Sequence, residues 1–298
     1  MRILFIGKSH GFSLAPLGAL REEHEVVALV ESGPRAGAPT RQASDVLRSI
    51  ASSAGVPYLH LTAATVRDLV PFARAARPEL ICVASLSSLL PPEVLAIPRH
   101  GAINLHPSAL PKYRGPFPWF WQYYNCEKEI GFTVHVMDET ADTGPILAQE
   151  MVPVALGTDV RDLMRRTEPV GARLMRAAAD ALDRGDAVLR AQPPGEHPTA
   201  RVVRREERLI DWEGWPIERV WHVMRGTYPW MDAVDYPGGT LAGARWRIGA
   251  IDRRGTTSRP GLLGRDLRGY YIGHREGRIR VRPRLSWRRR LRNLLAGR

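Results

Sequence analysis

The sequence is short of the residues and patterns that mark several large function classes. Its 298 residues hold two cysteines, Cys82 and Cys126. Two thiols build neither a disulfide framework nor a cysteine-rich zinc site, so the expected compartment is the reducing cytoplasm. No stretch of about 18 uncharged apolar residues occurs, and no membrane span is expected. The opening apolar run, Ile3–Ile6, falls short of the roughly seven residues of a secretory core and reads as a first buried strand. After it stands Gly7-Lys8-Ser9-His10-Gly11-Phe12 rather than G-x-G-x-x-G, and there is no Walker A segment, which argues against NAD and ATP. H-E-x-x-H, clustered carboxylates and a G-x-S-x-G elbow are also missing, so neither a metal nor a serine nucleophile is expected. Lysine is scarce: Lys8, Lys112 and Lys128 are the only three, leaving 40 of the 43 basic residues as arginine.

What is present is a folded-protein composition, 44% hydrophobic and 25% charged, long enough for two domains or one large one. The net charge of +12 is unevenly spread. Residues 1–200 carry 20 basic against 21 acidic side chains, and residues 201–298 carry 23 against 10. That asymmetry supports a boundary near residue 200. It also raises a polyanion partner (RNA, anionic lipid or a phosphorylated substrate), with arginine-rich codon usage as the plain alternative.

The first half alternates strands and helices. Strands are expected at Arg2–Gly7, Glu25–Ser32, Val56–Leu61 and Leu80–Leu86, and helices at Leu14–Arg21, Asp45–Gly55, Thr65–Pro78 and Pro91–Ile97. Such alternation builds a parallel sheet with right-handed crossovers, so the fold class is α/β, a Rossmann-like, doubly wound sheet. Residues 157–184 form a long helical stretch that Pro169 kinks or divides. Gln192–Ala200 is rich in proline and reads as a linker. Beyond it lies an amphipathic helix at Ile217–Thr227. Short β-like runs follow (MDAVDY, ARWRIGAI, GYYIGH, GRIRVRP), which suggest a small barrel or sandwich. The expected organisation is a domain over 1–191, a linker over 192–204 and a smaller β domain over 205–298. Its tail, Ser286–Arg298, is either a basic amphipathic helix or a solvated terminus.

Ligands of such sheets bind beyond the carboxyl ends of the strands, where one polar constellation stands out. Asn104 and His106 are two apart, and residues i and i+2 of a strand face the same way. An asparagine amide can stabilise an oxyanion, and a histidine can shuttle a proton near neutral pH. Asp142, ahead of Thr143-Gly144, can orient that histidine, or is simply a turn residue. His10 borders the same region, or makes only local hydrogen bonds. His135 reads as a packed or edge histidine of an apolar strand, and Cys126 as structural.

The run Asn104-Leu105-His106-Pro107-Ser108-Ala109-Leu110-Pro111-Lys112-Tyr113-Arg114-Gly115, followed by Asp142-Thr143-Gly144, resembles the signature of folate-dependent formyltransferases. That family includes enzymes acting on methionyl-tRNA, on nucleotide-sugars and on glycinamide ribonucleotide. The likeness extends to Gly55–Leu61, to Leu80–Leu90, and to Ile210-Asp211-Trp212 with Tyr228-Pro229-Trp230. It implies a formyltransferase fold for the catalytic domain and a small open, OB-like barrel at the C-terminus. It implies N10-formyltetrahydrofolate as formyl donor, held by Leu86, Ser87, Leu89 and Leu90 on one loop and by Met137, Asp138, Thr140 and Ala141 on another. It implies Asn104, His106 and Asp142 as catalytic residues, and an acceptor side at His10, Ser108, Tyr113, Arg114 and Gly115. The sequence departs from many relatives in Pro107, which lacks a backbone N–H at the catalytic turn, and in Ala109. A further departure is the aromatic run Pro116–Trp121, which either reshapes the acceptor side or packs a helix into the core. The acceptor is expected to be a nucleotide-linked amino sugar or a small natural-product amine, since the loop Gly33–Ser44 holds only Arg35 and Arg41, where tRNA-specific relatives carry a basic loop. Initiator methionyl-tRNA is the alternative. Hydrolysis of the formyl donor and a non-catalytic RNA-binding role stand further off.

Overall fold

In a computed structural model, the structure describes residues 1–33, 45–62, 65–204, 207, 209–231, 234, 241, 245–255 and 259–284. The loop over 34–44, most of the MDAVDY run and the tail over 286–298 lie outside the described residues. The described chain divides into two units. Unit 1 is Met1–Gln122, Glu129–Val154 and Arg161–Val202, and unit 2 is Tyr123–Lys128, Ala155–Val160 and Val203–Arg298.

Unit 1 is built on a seven-stranded sheet in the order β3-β2-β1-β4-β5-β6-β7. Its strands are β1 (Arg2–Gly7), β2 (Glu25–Ser32), β3 (Tyr58–Leu61), β4 (Leu80–Ala84), β5 (Ala102–His106), β6 (Glu129–Val136) and β7 (Ile146–Pro153). Strands β1 to β5 pair in parallel, as the alternation of elements predicts. The last two do not: β6 lies antiparallel to β5, and β7 antiparallel to β6. The sheet is therefore mixed and parallel-dominated. Every residue of β4 is buried, as expected of a strand covered on both faces. One apolar cluster gathers Leu4, Ile6, Val30, Ile81 and Val83 from three strands with Leu69 and Ala73 from a helix.

The helices are α1 (Gly11–Glu23), α2 (Val46–Ala54), α3 (Leu69–Ala76), α4 (Pro92–Leu95), α5 (Pro118–Tyr124), α6 (Val160–Arg184) and α7 (Ile217–Thr227). Helix α2 ends on Gly55 in the left-handed conformation, a common helix stop. The predicted Thr65–Pro78 helix begins instead as a 3-10 turn, Val66–Asp68, before α3. Pro169 neither ends nor divides α6, which runs unbroken for 25 residues.

Of the two readings of the aromatic run, the structure shows the packed one: Trp119 is 7% and Phe120 0% exposed. The Trp119 ring meets Phe132 edge-on at 5.6 Å and Phe12 at 6.3 Å, a favoured aromatic geometry. The proline-rich stretch after residue 191 is not a free tether. The N–H of Ala200 donates to the Arg114 carbonyl at 2.7 Å, and Phe117 donates to the Ala200 carbonyl at 3.1 Å. Proline removes N–H groups but leaves carbonyls, so the Pro198 carbonyl can still accept from the Tyr113 N–H.

Unit 2 holds a second, antiparallel sheet of β8 (Arg245–Asp252), β9 (Leu263–Asp266), β10 (Gly269–His274) and β11 (Gly277–Arg284), ordered β8-β11-β10-β9. This is consistent with the small barrel-like domain expected there. On β11 the buried Ile279 and Val281 alternate with Arg278, Arg280 and Arg282, the period-2 signature of a half-buried strand. Arg280 reaches Asp252 at 2.6 Å and Asp266 at 2.7 Å, so part of the arginine excess is neutralised locally. Among the described residues no helix is long and apolar enough to cross a membrane.

Candidate functional site

Strand β5 ends on His106, with Asn104 two residues earlier on the same face. The antiparallel register of β6 sets His135 directly across from Asn104. The turn between β6 and β7 then brings Asp142 back over both. His106 Nδ1 lies 3.6 Å and His135 Nε2 3.4 Å from Asp142 Oδ1. Asn104 Nδ2 lies 3.5 Å from the same oxygen and 3.2 Å from His135 Nε2. The structure thus brings together the three residues picked out in the sequence and adds His135, which had been read as a packed histidine. His106 and His135 are 5% and 2% exposed, so the cluster is screened from water.

Hydrogen-bond partners fix which nitrogens carry protons. His106 Nε2 lies 2.9 Å from the Tyr113 carbonyl. A carbonyl only accepts, so Nε2 holds the proton and Nδ1 presents a lone pair to the site. His135 Nδ1 likewise donates to the Val136 carbonyl at 2.8 Å. Its Nε2 has two mutually exclusive partners. When neutral it accepts from the Asn104 amide; when protonated it donates to Asp142.

Burial alone would push the Asp142 carboxyl up. The charge of protonated His106, the hydrogen bond with His135 and the Gly115 N–H outweigh it and bring the carboxyl down to about 2. The last of these, at 2.8 Å, engages Oδ2. His106 is lowered too, but here burial is the cause: it brings the imidazole below 6.5, although the Asp142 charge and the Tyr113 bond work to raise it. At neutral pH the pair is a carboxylate facing a neutral imidazole, poised to take a proton at Nδ1.

Backbone geometry shapes the rim. Tyr113 and Asp142 both sit at positive φ, +61° and +59°, and Gly115 at φ +113°. A Cβ on Gly115 would come within 2.9 Å of the Ala200 carbonyl oxygen, so glycine is required there. Gly144 is equally constrained, since a Cβ would meet the Val136 carbonyl oxygen at 2.0 Å.

The other expected site residues fall in different places. Leu86, Leu90 and Met137 join one apolar cluster, while Leu89 is 54% exposed. Ser87 accepts from Lys8 Nζ at 2.8 Å and donates to the Gly33 carbonyl at 3.0 Å. Asp138 anchors its turn by accepting from the N–H of Thr140 at 2.9 Å and from the hydroxyls of Thr140 and Thr143; Ala141 is exposed beside it. Ser108 is not open to the site: it is fully buried and donates to the Lys112 carbonyl at 2.7 Å. Arg114 spends Nε and Nη2 on Gln192, at 3.0 and 2.6 Å. His10 is exposed and precedes α1, where its carbonyl accepts from Ser13 and Leu14. Gln192 is a member of the site region that no sequence pattern announced.

Comparison with known proteins is consistent in kind. The family model described as formyl transferase matches residues 1–179. A methionyl-tRNA formyltransferase of Geobacter sulfurreducens is 31% identical over 98% of this chain and 91% of its own. Among solved structures, glycinamide ribonucleotide transformylase 1 of Symbiobacterium toebii matches with TM-score 0.55 and 27% identity, covering 65% of this chain and 94% of that one. The sugar 3N-formyl transferase WlaRD, solved in the presence of dTDP and 5-N-formyl-THF, superposes with TM-score 0.64 at 14% identity, over 95% of this chain and 97% of its own.

Proposed function

The chain belongs to the formyl transferase family, and we propose that it moves a formyl group from N10-formyltetrahydrofolate to the primary amine of a nucleotide-linked amino sugar or small natural-product amine. The observation that carries the reading is the convergence of Asn104, His106 and Asp142 within 3.6 Å, with His106 Nδ1 free of its proton. Acyl transfer to an amine needs an oxyanion donor and a base, and neither a metal nor a covalent nucleophile.

When bound, the folate supplies an activated formyl group. The apolar wall of Leu86, Leu90 and Met137, beside the polar turn of Asp138, Thr140 and Ala141, suits a flat ring with a hydrogen-bonding edge. In the reaction Asn104 donates Nδ2–H to the formyl oxygen as negative charge develops there. Its 3.5 Å contact with Asp142 is long and is given up at little cost. His106 Nδ1 accepts the proton that the attacking amine loses and returns it to N10 of the folate as the bond from N10 to the formyl carbon breaks, so that tetrahydrofolate leaves and the formamide remains on the acceptor. Asp142 stabilises the resulting imidazolium and holds the ring.

His106 must be neutral to act. Because its value is depressed below 6.5, the acid limb of kcat/KM against pH is expected below 6.5, with a flat profile from there to neutrality. A limb at or above about pH 7 would assign the proton to another group.

Two observations support a small acceptor. The segment over 33–44 holds only Arg35 and Arg41, a sparse charge for gripping RNA. The transformylase that is 27% identical is named for a ribonucleotide amine. A second reading, transfer to initiator methionyl-tRNA, is favoured by the methionyl-tRNA formyltransferase of similar length and by the excess of arginine after residue 200, because phosphate contacts dominate RNA affinity. The test offers purified protein and N10-formyltetrahydrofolate either methionyl-tRNA or a panel of nucleotide-linked amino sugars and small amines. Formylated sugar or small amine with tRNA untouched is the expected result. Formyl-methionyl-tRNA would replace the acceptor, and donor turnover without any acceptor would make the protein a hydrolase.

A further inference from the structure

We propose that Gln192 is a positioning residue for formyl transfer, its side-chain amide fastening the turn that carries Asp142 to Arg114 of the 112–115 loop. The role presupposes the reaction above, but the geometry that suggests it does not. Gln192 Nε2 donates to the main-chain carbonyls of Asp142, at 2.9 Å, and Gly144, at 2.7 Å. Its Oε1 accepts both Arg114 Nε and Nη2, at 3.0 and 2.6 Å. Every hydrogen-bonding position of the amide is thereby used. A glutamate could not donate to the two carbonyls, a lysine could not accept from the guanidinium, and an asparagine is one methylene too short to span both.

The clamp closes a ring. The 112–115 loop already touches the Asp142 turn once, through the Gly115 N–H on Asp142 Oδ2 at 2.8 Å. Gln192 adds a second tie, from Arg114 of that loop to the main chain of the turn. Two ties fix an orientation where one leaves a hinge. Asp142 needs that support: at φ +59° it holds a backbone conformation that a non-glycine residue adopts only when its surroundings over-determine it. Gln192 contacts none of the reacting groups, so it acts through Asp142.

The charged and titratable side chains facing His106 are Asp142 from the turn and His135 from β6. Asp142 raises the His106 value, and His135 lowers it. Loosening Asp142 must therefore make His106 harder to protonate. The test uses the full chain with Gln192→Met, which is neutral and of similar size, and Gln192→Asn, which keeps an amide that cannot bridge. Histidine-labelled NMR follows the His106 ring through a pH titration, with the signal assigned by its loss in His106→Asn. In both variants the His106 titration is expected to move to lower pH by about one pH unit, the scale of one carboxylate neighbour. The kcat should fall by roughly 10²-fold, the usual cost of a 1 Å misplacement, with the KM for the donor changing less. An unmoved His106 titration in both folded variants overturns the clamp, whether or not the parent protein turns over. So does a kcat within about threefold of the parent, since that leaves no transition-state loss to assign. A parent that makes no formyl product with any acceptor, but whose His106 still shifts in the variants, would reject the reaction and leave the clamp standing.

Discussion

Formyl transfer by the His106→Ala variant is expected to run ~10²–10⁴-fold slower than by the parent enzyme, the span that a positioned acid–base group contributes. The loss should fall on kcat, because in the proposed step the imidazole takes its proton only as the amine attacks. The Tyr113 carbonyl would also lose the donor it holds at 2.9 Å, and a hydrogen bond of this kind contributes about 0.5–1.5 kcal/mol. His106→Gln separates the two effects. Its amide can still donate to that carbonyl, which should restore most of the thermal stability, yet it has no nitrogen that titrates near neutrality. A glutamine variant as slow as the alanine variant, but melting near the parent, assigns the loss to proton transfer. A loss smaller than about tenfold in both would place the base elsewhere. Asn104→Ala should cost roughly 10²–10³-fold, as removal of one oxyanion donor does elsewhere.

The second large effect is expected from a single methyl group. In Gly144→Ala the new Cβ would stand 2.0 Å from the Val136 carbonyl oxygen and 2.9 Å from its carbon. The obstacle is main chain of β6, pinned by the Val136 N–H donating to the Pro145 carbonyl at 2.9 Å. The turn itself must therefore move, and Asp142 is two residues away. Displacing it by about 1 Å predicts a kcat loss of roughly 10²-fold, together with ~1–3 kcal/mol of destabilisation from overpacking. Steady-state kinetics and a denaturant melt on the same preparation measure both. A parental rate in a destabilised variant would mean that the strand, not the turn, gives way.

What the sequence reveals of this molecule follows the range of the interactions involved. Asn104 and His106 are legible because strand periodicity places i and i+2 on one face, a purely local fact. The buried strands β1, β2 and β4 are legible for a similar reason, as short apolar runs closed by turns. His135 is not, because its role depends on lying opposite Asn104 in an antiparallel pair. That register is set by two strands about 30 residues apart, and by nothing written near His135 itself. The direction of β6 and β7 is hidden in the same way. Gln192 is hidden by its company: the prolines that follow it speak of a tether, while the carbonyls of Pro198 and Ala200 are what bind the stretch to Tyr113 and Phe117. The aromatic run Pro116–Trp121 leaves two readings open in the sequence, an acceptor-side surface or a packed helix. Burial of Trp119 against Phe12 and Phe132 depends on α1 and β6 arriving beside it.

The return of residues 192–200 to the 112–115 loop has a consequence for the order in which the chain matures. All three side chains proposed to carry the reaction have been synthesised by residue 142, and the long α6 is complete by residue 184. A nascent chain of that length holds each of them yet lacks the amide proposed to brace Asp142 and the carbonyls that receive Tyr113 and Phe117. Competence on the ribosome should therefore arrive late, when Ala200 has cleared the exit tunnel, and abruptly rather than by degrees. For the same reason the smallest fragment worth expressing as a catalyst ends beyond residue 200, about twenty residues past the point where the family match stops.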